Sequence, residues 1–281
     1  MIKFRKMHGL GNDFVILDAR KERALLNISS ESTQKICDRN KGIGCDQLIV
    51  LENPKSDKAD IFMRIYNPDG GEAGACGNAT RCVADIIGKE QDKETLVVET
   101  ISGLLGCIRN KDATVTVDMG TPILDWENIP LSQECDIDNL PLDCVDASAV
   151  GMGNPHCIIF VENADKADVK NCGSCLETHP LFPERTNVEF VSFSSRAHMR
   201  MRVWERGAGI TLACGSGACA AAVAAMRRNL CARKITITLD GGTLDIEWRE
   251  SDNHVLMTGG FTYVFDGVYR NDVKNAPYDT E

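Results

Sequence analysis

Two cysteines in short, similar motifs are the residues of this sequence best placed to do chemistry. Cys76 lies in the segment 75–82 (ACGNATRC) and Cys214 in the segment 213–219 (ACGSGAC). In each segment small residues separate the cysteine from a helix-forming run, so the sequence predicts each cysteine at a helix N-terminus. A thiol in that position feels free backbone N–H groups and the positive end of the helix dipole, and its pKa is expected to fall toward neutrality.

The same helix N-termini are suited to bind an anion, because their first N–H groups have no partner within the helix. Two facing helices can hold one carboxylate between them, and the two sulfur atoms then flank the carbon attached to it. One thiolate could remove the proton from that carbon, and the opposite thiol could return a proton on the other face, which inverts the centre. The candidate groups for the carboxylate directly follow the cysteines, at Gly77, Asn78, Gly215 and Ser216.

Proton removal from the α-carbon of an amino acid usually needs pyridoxal phosphate as an electron sink. The sequence has no convincing combination of a lysine and a phosphate-binding loop for that cofactor. Without it, preorganised dipoles in a dry site must stabilise the charge that develops on the carboxylate. We therefore predict two-base catalysis by Cys76 and Cys214, with no cofactor and no metal.

An internal repeat explains why the cysteine motif occurs twice. When the chain is compared with itself at an offset of 138 residues, seven residues are identical in a 22-residue window, whereas chance would give about one. The repeat predicts two related halves, residues 1–120 with Cys76 and residues 121–264 with Cys214, and an active site in the cleft between them. The C-terminal segment 265–281 is expected to pack back on the first half.

Polar residues recur in the loops of both halves where they can contact a bound amino acid. Arg206 follows Glu205 shortly before Cys214, and a guanidinium can bind a carboxylate through two hydrogen bonds. His156 begins a predicted strand, where it could be a core histidine or could adjust the proton affinity of a cysteine. The other candidates are amides, each of which alone could be a turn residue: Asn12, Gln47, Asn67, Asn154 and Asn187.

The composition is that of a globular protein and disfavours several classes of partner. The chain has 281 residues, 43% hydrophobic and 26% charged, with a formal net charge of −10. This charge disfavours nucleic acid and anionic membranes, which need a basic surface. Charged residues interrupt the N-terminal segment 1–18 and no apolar run approaches transmembrane length, so we expect a cytoplasmic protein with a small-molecule substrate.

The chain contains 13 cysteines, an odd number distributed along its length. A secreted disulfide framework would more often have an even number in a small domain, so the cysteines are expected to be reduced and mostly buried. Cys82 and Cys219 are expected in the core. Cys172 and Cys175 form a Cys-x-x-Cys pair that allows a redox or zinc-binding role, although no second pair with zinc-binding spacing accompanies it.

Strand patterns outnumber helix patterns, and their order repeats. In the first half they predict strands at 2–8, 14–17, 47–51, 61–66, 95–100, 104–109 and 114–118, with helices at 29–38 and 77–87. In the second half they predict strands at 143–150, 157–161, 187–193, 199–204, 235–239, 243–248, 255–258 and 262–268, with helices at 165–176 and 216–228. A polar stretch at 120–141 is expected to connect the halves, and 271–281 to form a loose tail. The pattern indicates an α+β fold with two pseudo-symmetric halves, each a curled, mostly antiparallel sheet around a central helix.

The longer motifs resemble those of the diaminopimelate epimerase family, whose members are cofactor-independent amino acid epimerases. The resemblance covers nearly the whole chain, with the motifs in the family's order. The matching segments are MHGLGNDF at 7–14, GIGCDQ at 42–47, NPDG at 67–70, ACGNATRC at 75–82, GNPH at 153–156, ERTN at 184–187, ERGAGIT at 205–211 and ACGSG at 213–217.

The resemblance implies interconversion of LL- and meso-2,6-diaminopimelate, in lysine and peptidoglycan precursor synthesis. It implies that Cys76 and Cys214 are the base and acid, that His156 and Glu205 tune the thiols, and that the protein forms a homodimer. The substrate-binding residues that it implies are Asn12, Gln47, Asn67, Gly77, Asn78, Asn154, Asn187, Glu205, Arg206, Gly215 and Ser216. The chain departs from the family's usual residues at three positions: it has Gly71 where Ser is usual, Ala79 where Gly is usual and Phe265 where Tyr is usual. The last of these lies in a segment that the family uses for dimer contact.

Three other interpretations stay open at this level. A proline or hydroxyproline racemase of the same fold would not need the cluster of Arg206 and amides, because its substrate lacks a distal amino acid centre. A non-catalytic amino acid-binding protein would not need both cysteines of the repeat. A redox protein is favoured only by Cys172 and Cys175.

Overall fold

A computed structural model of the protein describes residues 1–143 and 145–270, which form a 17-stranded sheet and four α-helices. The first half contains β1 (Ile2–Gly9), β2 (Asn12–Asp18), α1 (Ser30–Cys37), β3 (Gln47–Glu52), β4 (Ile61–Tyr66), β5 (Glu72–Ala73), α2 (Gly77–Gln91), β6 (Thr95–Thr100), β7 (Gly103–Arg109) and β8 (Thr114–Asp118). The second half contains β9 (Ala147–Gly151), β10 (Pro155–Phe160), α3 (Val169–Glu177), β11 (Asn187–Ser195), β12 (His198–Glu205), β13 (Gly209–Thr211), α4 (Gly215–Arg227), β14 (Lys234–Leu239), β15 (Gly242–Trp248), β16 (Val255–Gly260) and β17 (Thr262–Tyr269).

Strand pairing is the same in the two halves. β1 and β2 pair antiparallel, as do β9 and β10, while β2–β3 and β10–β11 are parallel. β4 and β6 pair in parallel, as do β12 and β14, and the connection between each pair contains one of the helices α2 and α4. The predicted fold of two pseudo-symmetric halves, each with a mostly antiparallel sheet and a central helix, is confirmed.

The helices α2 and α4 can lie inside the sheets because their residues are small or apolar on most sides. In α2 every residue from Gly77 to Gly88 is buried. In α4 the alanine-rich run from Gly217 to Met226 is buried as well. The helix α2 ends at Gln91, and its C-cap Asp92 has a positive φ of 53°, the left-handed conformation common after a helix C-terminus. Because each helix is packed in the core of its own half, that core fixes the position of the helix N-terminus.

Two strand pairs connect the halves and close the first one. β8 pairs antiparallel with β16, with Asp118 opposite Leu256 and Thr114 opposite Gly260. After β16 the chain continues into β17, which returns to the first half and pairs antiparallel with β1. The predicted tail at 271–281 lies outside the described residues, and the predicted domain boundaries stay a prediction.

Several segments differ from the sequence-based expectation. The connector at 120–141 has no helix or strand within the described chain, yet it is not simply polar, because Ile129 and Leu131 are buried in the core of the second half. β9 begins at Ala147 rather than at 143, and Cys144 lies outside the described residues. The helix expected at 165–176 is divided into a 3-10 turn at Ala164–Lys166 and α3, which begins after the N-cap Asp168. The patterns also missed the short strands β5 and β13.

Candidate active site

The N-termini of α2 and α4 meet at the junction of the two halves. Cys76 is the N-cap of α2 and Cys214 is the N-cap of α4, as the sequence predicts. The side chain of Asn78 joins the two helix starts, because its Nδ2 atom donates a hydrogen bond to the carbonyl oxygen of Ala213 over 3.3 Å. Both thiols therefore lie at this junction, each beside the first N–H groups of its own helix.

Glycine at positions 77 and 215 lets the two helix starts pack closely against Met257. A Cβ atom at Gly77 would lie 2.7 Å from Cε of Met257, and one at Gly215 would lie 3.0 Å from Sδ of the same methionine. Both contacts are tighter than ordinary ones, so a side chain would push Met257 or a helix away. With two glycines the backbone N–H groups of both helices remain open to a shared anion.

Asn12 presents its amide oxygen to the first thiol. Cys76 is half-buried, and its Sγ atom is 3.9 Å from Oδ1 of Asn12. The Nδ2 atom of Asn12 donates to Oδ2 of Asp46 over 3.1 Å, and Arg39 pairs with Oδ1 of Asp46 at 2.6 Å. The Asp46 carboxylate thus helps to orient the Asn12 amide so that its oxygen faces the thiol. Sequence analysis did not single out Asp46, although it adjoins the predicted ligand Gln47.

Cys214 is buried, and its sulfur lies against the first turn of α4. The N–H of Gly217 donates to Sγ over 3.4 Å, and Oγ of Ser216 is 3.6 Å from the same atom. A Cβ atom at Gly217 would lie 2.5 Å from Oε1 of Glu189 and 3.2 Å from Sγ of Cys214. The carboxylate and the sulfur therefore border the same position, which is open only because residue 217 is glycine.

Burial raises the pKa of both thiols in this structure. It raises the pKa of Cys76 to about 11, and the negative charge of Glu205 also raises it. The N–H groups of the first turn of α2 lower this pKa, but by less. Burial also raises the pKa of Cys214 well above its ordinary value, and the carboxylates of Glu205 and Glu189 add to this effect. The pKa values thus move opposite to the prediction from the helix terminus alone, because desolvation outweighs the helix N–H groups.

The predicted tuning residue His156 lies between the buried Glu189 and the half-buried Asn154. Its Nδ1 atom is 2.7 Å from Oε1 of Glu189, and its Nε2 atom is 2.9 Å from Oδ1 of Asn154. The side chains of His156 and Glu189 are both 0% exposed, and Oε2 of Glu189 has no hydrogen-bond partner among the described residues. Sequence analysis missed Glu189, whose one signal is a charged residue between the apolar Val188 and Phe190 near the start of β11.

Glu205, the second predicted tuning residue, lies at the end of β12. Its carboxylate accepts a hydrogen bond from Oγ1 of Thr211. Burial raises the pKa of Glu205, and the negative charge of Glu189 raises it further. Because the charge of Glu205 also raises the pKa of both Cys76 and Cys214, this carboxylate acts on the two thiols together.

Two other predicted ligands pair in the first half, while the predicted arginine is on the surface. Gln47 donates from Nε2 to Oδ1 of Asn67 over 3.1 Å. The buried Oε1 atom of Gln47 has no partner within the part of the chain that the structure describes, so it can accept a hydrogen bond from a ligand. The side chain of Arg206 is exposed and donates to the carbonyl oxygen of Glu184 over 3.0 Å.

Buried side chains hold the loop that carries Glu205 and Arg206. Oδ1 of Asn187 accepts a hydrogen bond from the backbone N–H of Arg206 over 3.0 Å, so this predicted ligand contacts the loop backbone. Glu177, at the end of α3, accepts from Nε1 of Trp204 over 2.7 Å and from the backbone N–H of Gly207 over 3.0 Å. Sequence analysis missed Glu177, because nothing in the local pattern of α3 indicates its distant partners.

The remaining cysteines divide between core and surface. Cys82 and Cys219 are 0% exposed, which confirms that they are core residues. Cys172 and Cys175 are exposed on α3. Within residues 1–143 and 145–270, no group of three His, Cys, Asp or Glu side chains could hold a metal ion, and no helix has the length and apolar character to cross a membrane.

Comparison with known proteins identifies a family. The model of the diaminopimelate epimerase family matches residues 4–124 and 148–264, one segment in each half. A diaminopimelate epimerase of Rhodospirillum centenum is 52% identical in an alignment of 268 residues that covers 94% of this chain and 91% of the relative. A diaminopimelate epimerase of Gluconobacter oxydans is also 52% identical, over 267 residues that cover 95% of this chain and 98% of the relative.

A solved structure shares the fold at low sequence identity. A probable proline racemase from Agrobacterium radiobacter K84 matches with a TM-score of 0.69 and 13% identity, and the match covers 98% of this chain and 94% of that one. At this identity the likeness shows the fold alone, so the proline racemase interpretation gains no support beyond the fold. Both the family model and the sequence relatives cover most of the chain. The chain therefore belongs to the diaminopimelate epimerase family.

Proposed function

We propose that this chain is an isomerase that interconverts LL-2,6-diaminopimelate and meso-diaminopimelate without a cofactor, with Cys76 and Cys214 as the two bases. Membership of the family supports the reaction and the substrate. One observation carries the mechanism: the N-termini of α2 and α4 meet, and each is capped by one of the cysteines. A base on each side of one anion site is what inversion next to a carboxylate requires.

In the proposed reaction the carboxylate at the reacting centre accepts hydrogen bonds at Gly77, Asn78, Gly215 and Ser216. One sulfur, as thiolate, takes the α-proton, and the developing negative charge spreads into the carboxylate, where the helix N–H groups stabilise it. The opposite thiol gives its proton to the other face of the same carbon. One proton leaves the carbon and one arrives, so the centre is inverted and the two sulfurs exchange their charges.

Formation of the thiolate needs help from the bound substrate, because burial raises the pKa of Cys76 to about 11. The ammonium groups of the substrate bring positive charge into the site and favour the ionised sulfur. The proposed ligands for the polar groups of the substrate are the loop side chains Asn12, Gln47, Asn67, Asn154, Glu205 and Arg206. For Asn187 we propose a supporting role, because its amide holds the backbone of the loop that carries Arg206.

The proposal is tested with LL-diaminopimelate in heavy water, by following loss of the α-proton and formation of the meso isomer. The wild-type chain is expected to place solvent deuterium at the α-carbon of the product. Cys76→Ala and Cys214→Ala are each expected to lower the epimerisation rate by about 1,000-fold or more, while the surface variant Cys172→Ala keeps the wild-type rate. Wild-type turnover by either active-site variant would exclude the two-base mechanism, and turnover of proline instead of diaminopimelate would exclude the substrate.

We also propose that the protein is a homodimer that uses the edge of β17. Within the described residues this strand pairs only with β1, which leaves its other edge open. The side chains of Tyr263, Val264, Phe265 and Val268 are 46–54% exposed. An open edge with exposed apolar residues favours pairing with another chain. Sedimentation is expected to give a dimer for the wild-type chain and for Val264→Thr, and a monomer for Val264→Lys; a monomeric wild-type chain contradicts the proposal.

The proposed location is the cytoplasm, where reduced thiols persist. All 12 cysteines that the structure describes are free, and two of them are the proposed bases. Cell fractionation with an antibody against the chain tests this location, and recovery in the periplasm would contradict it.

A further inference from the structure

Glu189 is a buried charged residue that the proposed mechanism does not use. It lies on β11, is 0% exposed, and has its Oε1 atom 2.7 Å from Nδ1 of His156. Its Oε2 atom has no hydrogen-bond partner among residues 1–143 and 145–270. Burying a carboxylate with one oxygen unpaired costs free energy, so this residue is not explained by stability.

The carboxylate of Glu189 lies beside Cys214. Its Oε1 atom and the Sγ atom of Cys214 both border the Cα of Gly217, where a Cβ atom would lie 2.5 Å from the oxygen and 3.2 Å from the sulfur. At the offset of the internal repeat, the first half has Ala79 at the position of Gly217. The first half therefore has a methyl group where the second half has space for a carboxylate.

The register of the strands shows that the first half has no counterpart of this charge. In the parallel pair β10–β11, His156 is opposite Asn187, two residues before Glu189. In the equivalent pair β2–β3, Phe14 is opposite Gln47, so Ile49 takes the place of Glu189. Phe14 and Ile49 are both 0% exposed. The pair of histidine and glutamate in one half is thus replaced by two apolar residues in the other.

We propose that Glu189 is a positioning residue that makes the two thiols unequal. It holds His156 in place, and its negative charge disfavours loss of the proton from Cys214, so that Cys76 ionises first. The roles of Cys76 and Cys214 as catalytic bases rest on the proposed function, but the unequal ionisation of the two thiols is a property of the protein without substrate. The first thiolate of the pair therefore forms at Cys76, in the half that lacks the buried carboxylate.

The other charges around the two thiols are consistent with this assignment. Glu205 of β12 raises the pKa of both thiols, so its effect is not confined to one of them. Arg81, in α2, is 0% exposed, and its positive charge favours ionisation of Cys76. On the other side Glu189, which lies 2.7 Å from Nδ1 of His156, disfavours ionisation of Cys214. The first thiol therefore has a buried cation nearby, and the second has an additional buried anion.

The test measures alkylation of each thiol by iodoacetamide across a range of pH in the full-length chain without substrate. Peptide mass spectrometry reports Cys76 and Cys214 separately, and each rate is divided by its own plateau so that unequal access does not affect the midpoint. The wild-type chain is expected to show a lower midpoint for Cys76. In Glu189→Gln, which keeps the shape but removes the charge, the midpoint of Cys214 is expected to fall by about one pH unit or more. The midpoint of Cys76 should move much less.

Two further variants separate charge from structure. Glu189→Asp keeps the charge and is expected to leave the midpoint of Cys214 near that of the wild-type chain. Glu52→Gln makes the same chemical change at a buried carboxylate of β3 that pairs with Arg64, and should leave both midpoints unchanged. If Glu189→Gln does not fold, a lower midpoint for Cys214 than for Cys76 in the wild-type chain still overturns the proposal.

Two outcomes would overturn the inference: equal shifts of both thiols in Glu189→Gln, or a lower midpoint for Cys214 than for Cys76 in the wild-type chain. Neither outcome depends on turnover of diaminopimelate. Absence of epimerisation by the wild-type chain would overturn the proposed function and leave the inequality of the thiols untouched.

Discussion

At the scale of single residues, the site depends on which atom of an amide faces a thiol. Asn12 has an oxygen and a nitrogen of similar size, and either could point to Cys76. Its Nδ2 atom donates to Asp46, and Asp46 is held in turn by Arg39, so Oδ1 is the atom that faces the sulfur. The Nδ2 atom of Asn78 donates to the same Oδ1 atom over 3.2 Å, so a carboxylate and an amide together orient the group beside the proposed base.

Asp46→Ala is expected to release the Asn12 amide and to lower kcat of epimerisation by about tenfold to a hundredfold, because a misplaced group beside the reacting atoms loses its alignment. Steady-state kinetics with diaminopimelate measures this effect. Asp112→Ala, which removes an exposed aspartate from the β7–β8 turn, is the matched control and should leave kcat unchanged. An unchanged kcat in Asp46→Ala, with Asn12→Ala strongly impaired, would show that the orientation of the amide is not set by Asp46.

The residues that sequence analysis found and those that it missed differ in how their roles arise. Cys76 and Cys214 were predicted because the motif around each cysteine is local and repeated. Asp46, Glu177 and Glu189 were not, because their partners belong to elements far away in the chain. Glu189, for example, acts on a histidine of a neighbouring strand and on a cysteine of a helix. Such roles follow from strand register and packing, which the local sequence does not contain.

At the scale of elements, α3 holds a loop of the active site. Glu177, the last residue of α3, accepts hydrogen bonds from Trp204 before the loop and from Gly207 within it. Two bonds to one carboxylate fix the direction in which the chain leaves β12. The helix is therefore placed to determine where Glu205 and Arg206 lie.

Glu177→Ala is expected to loosen this loop and to raise KM for diaminopimelate several-fold, because the loop no longer holds its ligands in place. The loss of two hydrogen bonds to a buried carboxylate is also expected to lower the free energy of unfolding by about 2–3 kcal/mol. Denaturant unfolding and steady-state kinetics measure the two effects. Glu162→Ala, an exposed glutamate in the same half, is the control; equal values for both variants would refute the anchoring role.

At the scale of the whole molecule, buried thiols make the fold sensitive to alkaline pH. Burial raises the pKa of Cys82, Cys107 and Cys219 to about 12 and that of Cys231 to about 11. In the unfolded chain a thiol has a pKa of about 8.5. Above that pH the unfolded chain releases protons that the folded chain still holds, so the unfolded state is favoured as the pH rises.

The melting temperature is therefore expected to be highest below about pH 8.5 and to fall by at least about 5 °C between pH 8 and pH 10.5. Calorimetry at several pH values measures the slope. Cys219→Ala removes one buried thiol and should reduce the slope, whereas Cys175→Ala removes an exposed one and should not. A slope that is the same in both variants and the wild-type chain would show that buried thiols do not cause the alkaline loss.

Because two helix N-termini meet, a bound substrate carboxylate also acts as a counter-ion that stabilises the folded chain. Two positive dipole ends point at one place and repel each other, whereas an anion near a helix N-terminus stabilises it by roughly 0.3–1 kcal/mol. A carboxylate bound there relieves the repulsion, and a ligand at 100 times its Kd adds about 2.7 kcal/mol to the stability of the folded state. In the double variant Cys76→Ala/Cys214→Ala, which cannot turn the substrate over, diaminopimelate should still raise the melting temperature. If it does not, the helix ends hold no carboxylate; if it does, the enzyme is most stable while it is bound to the molecule on which it acts.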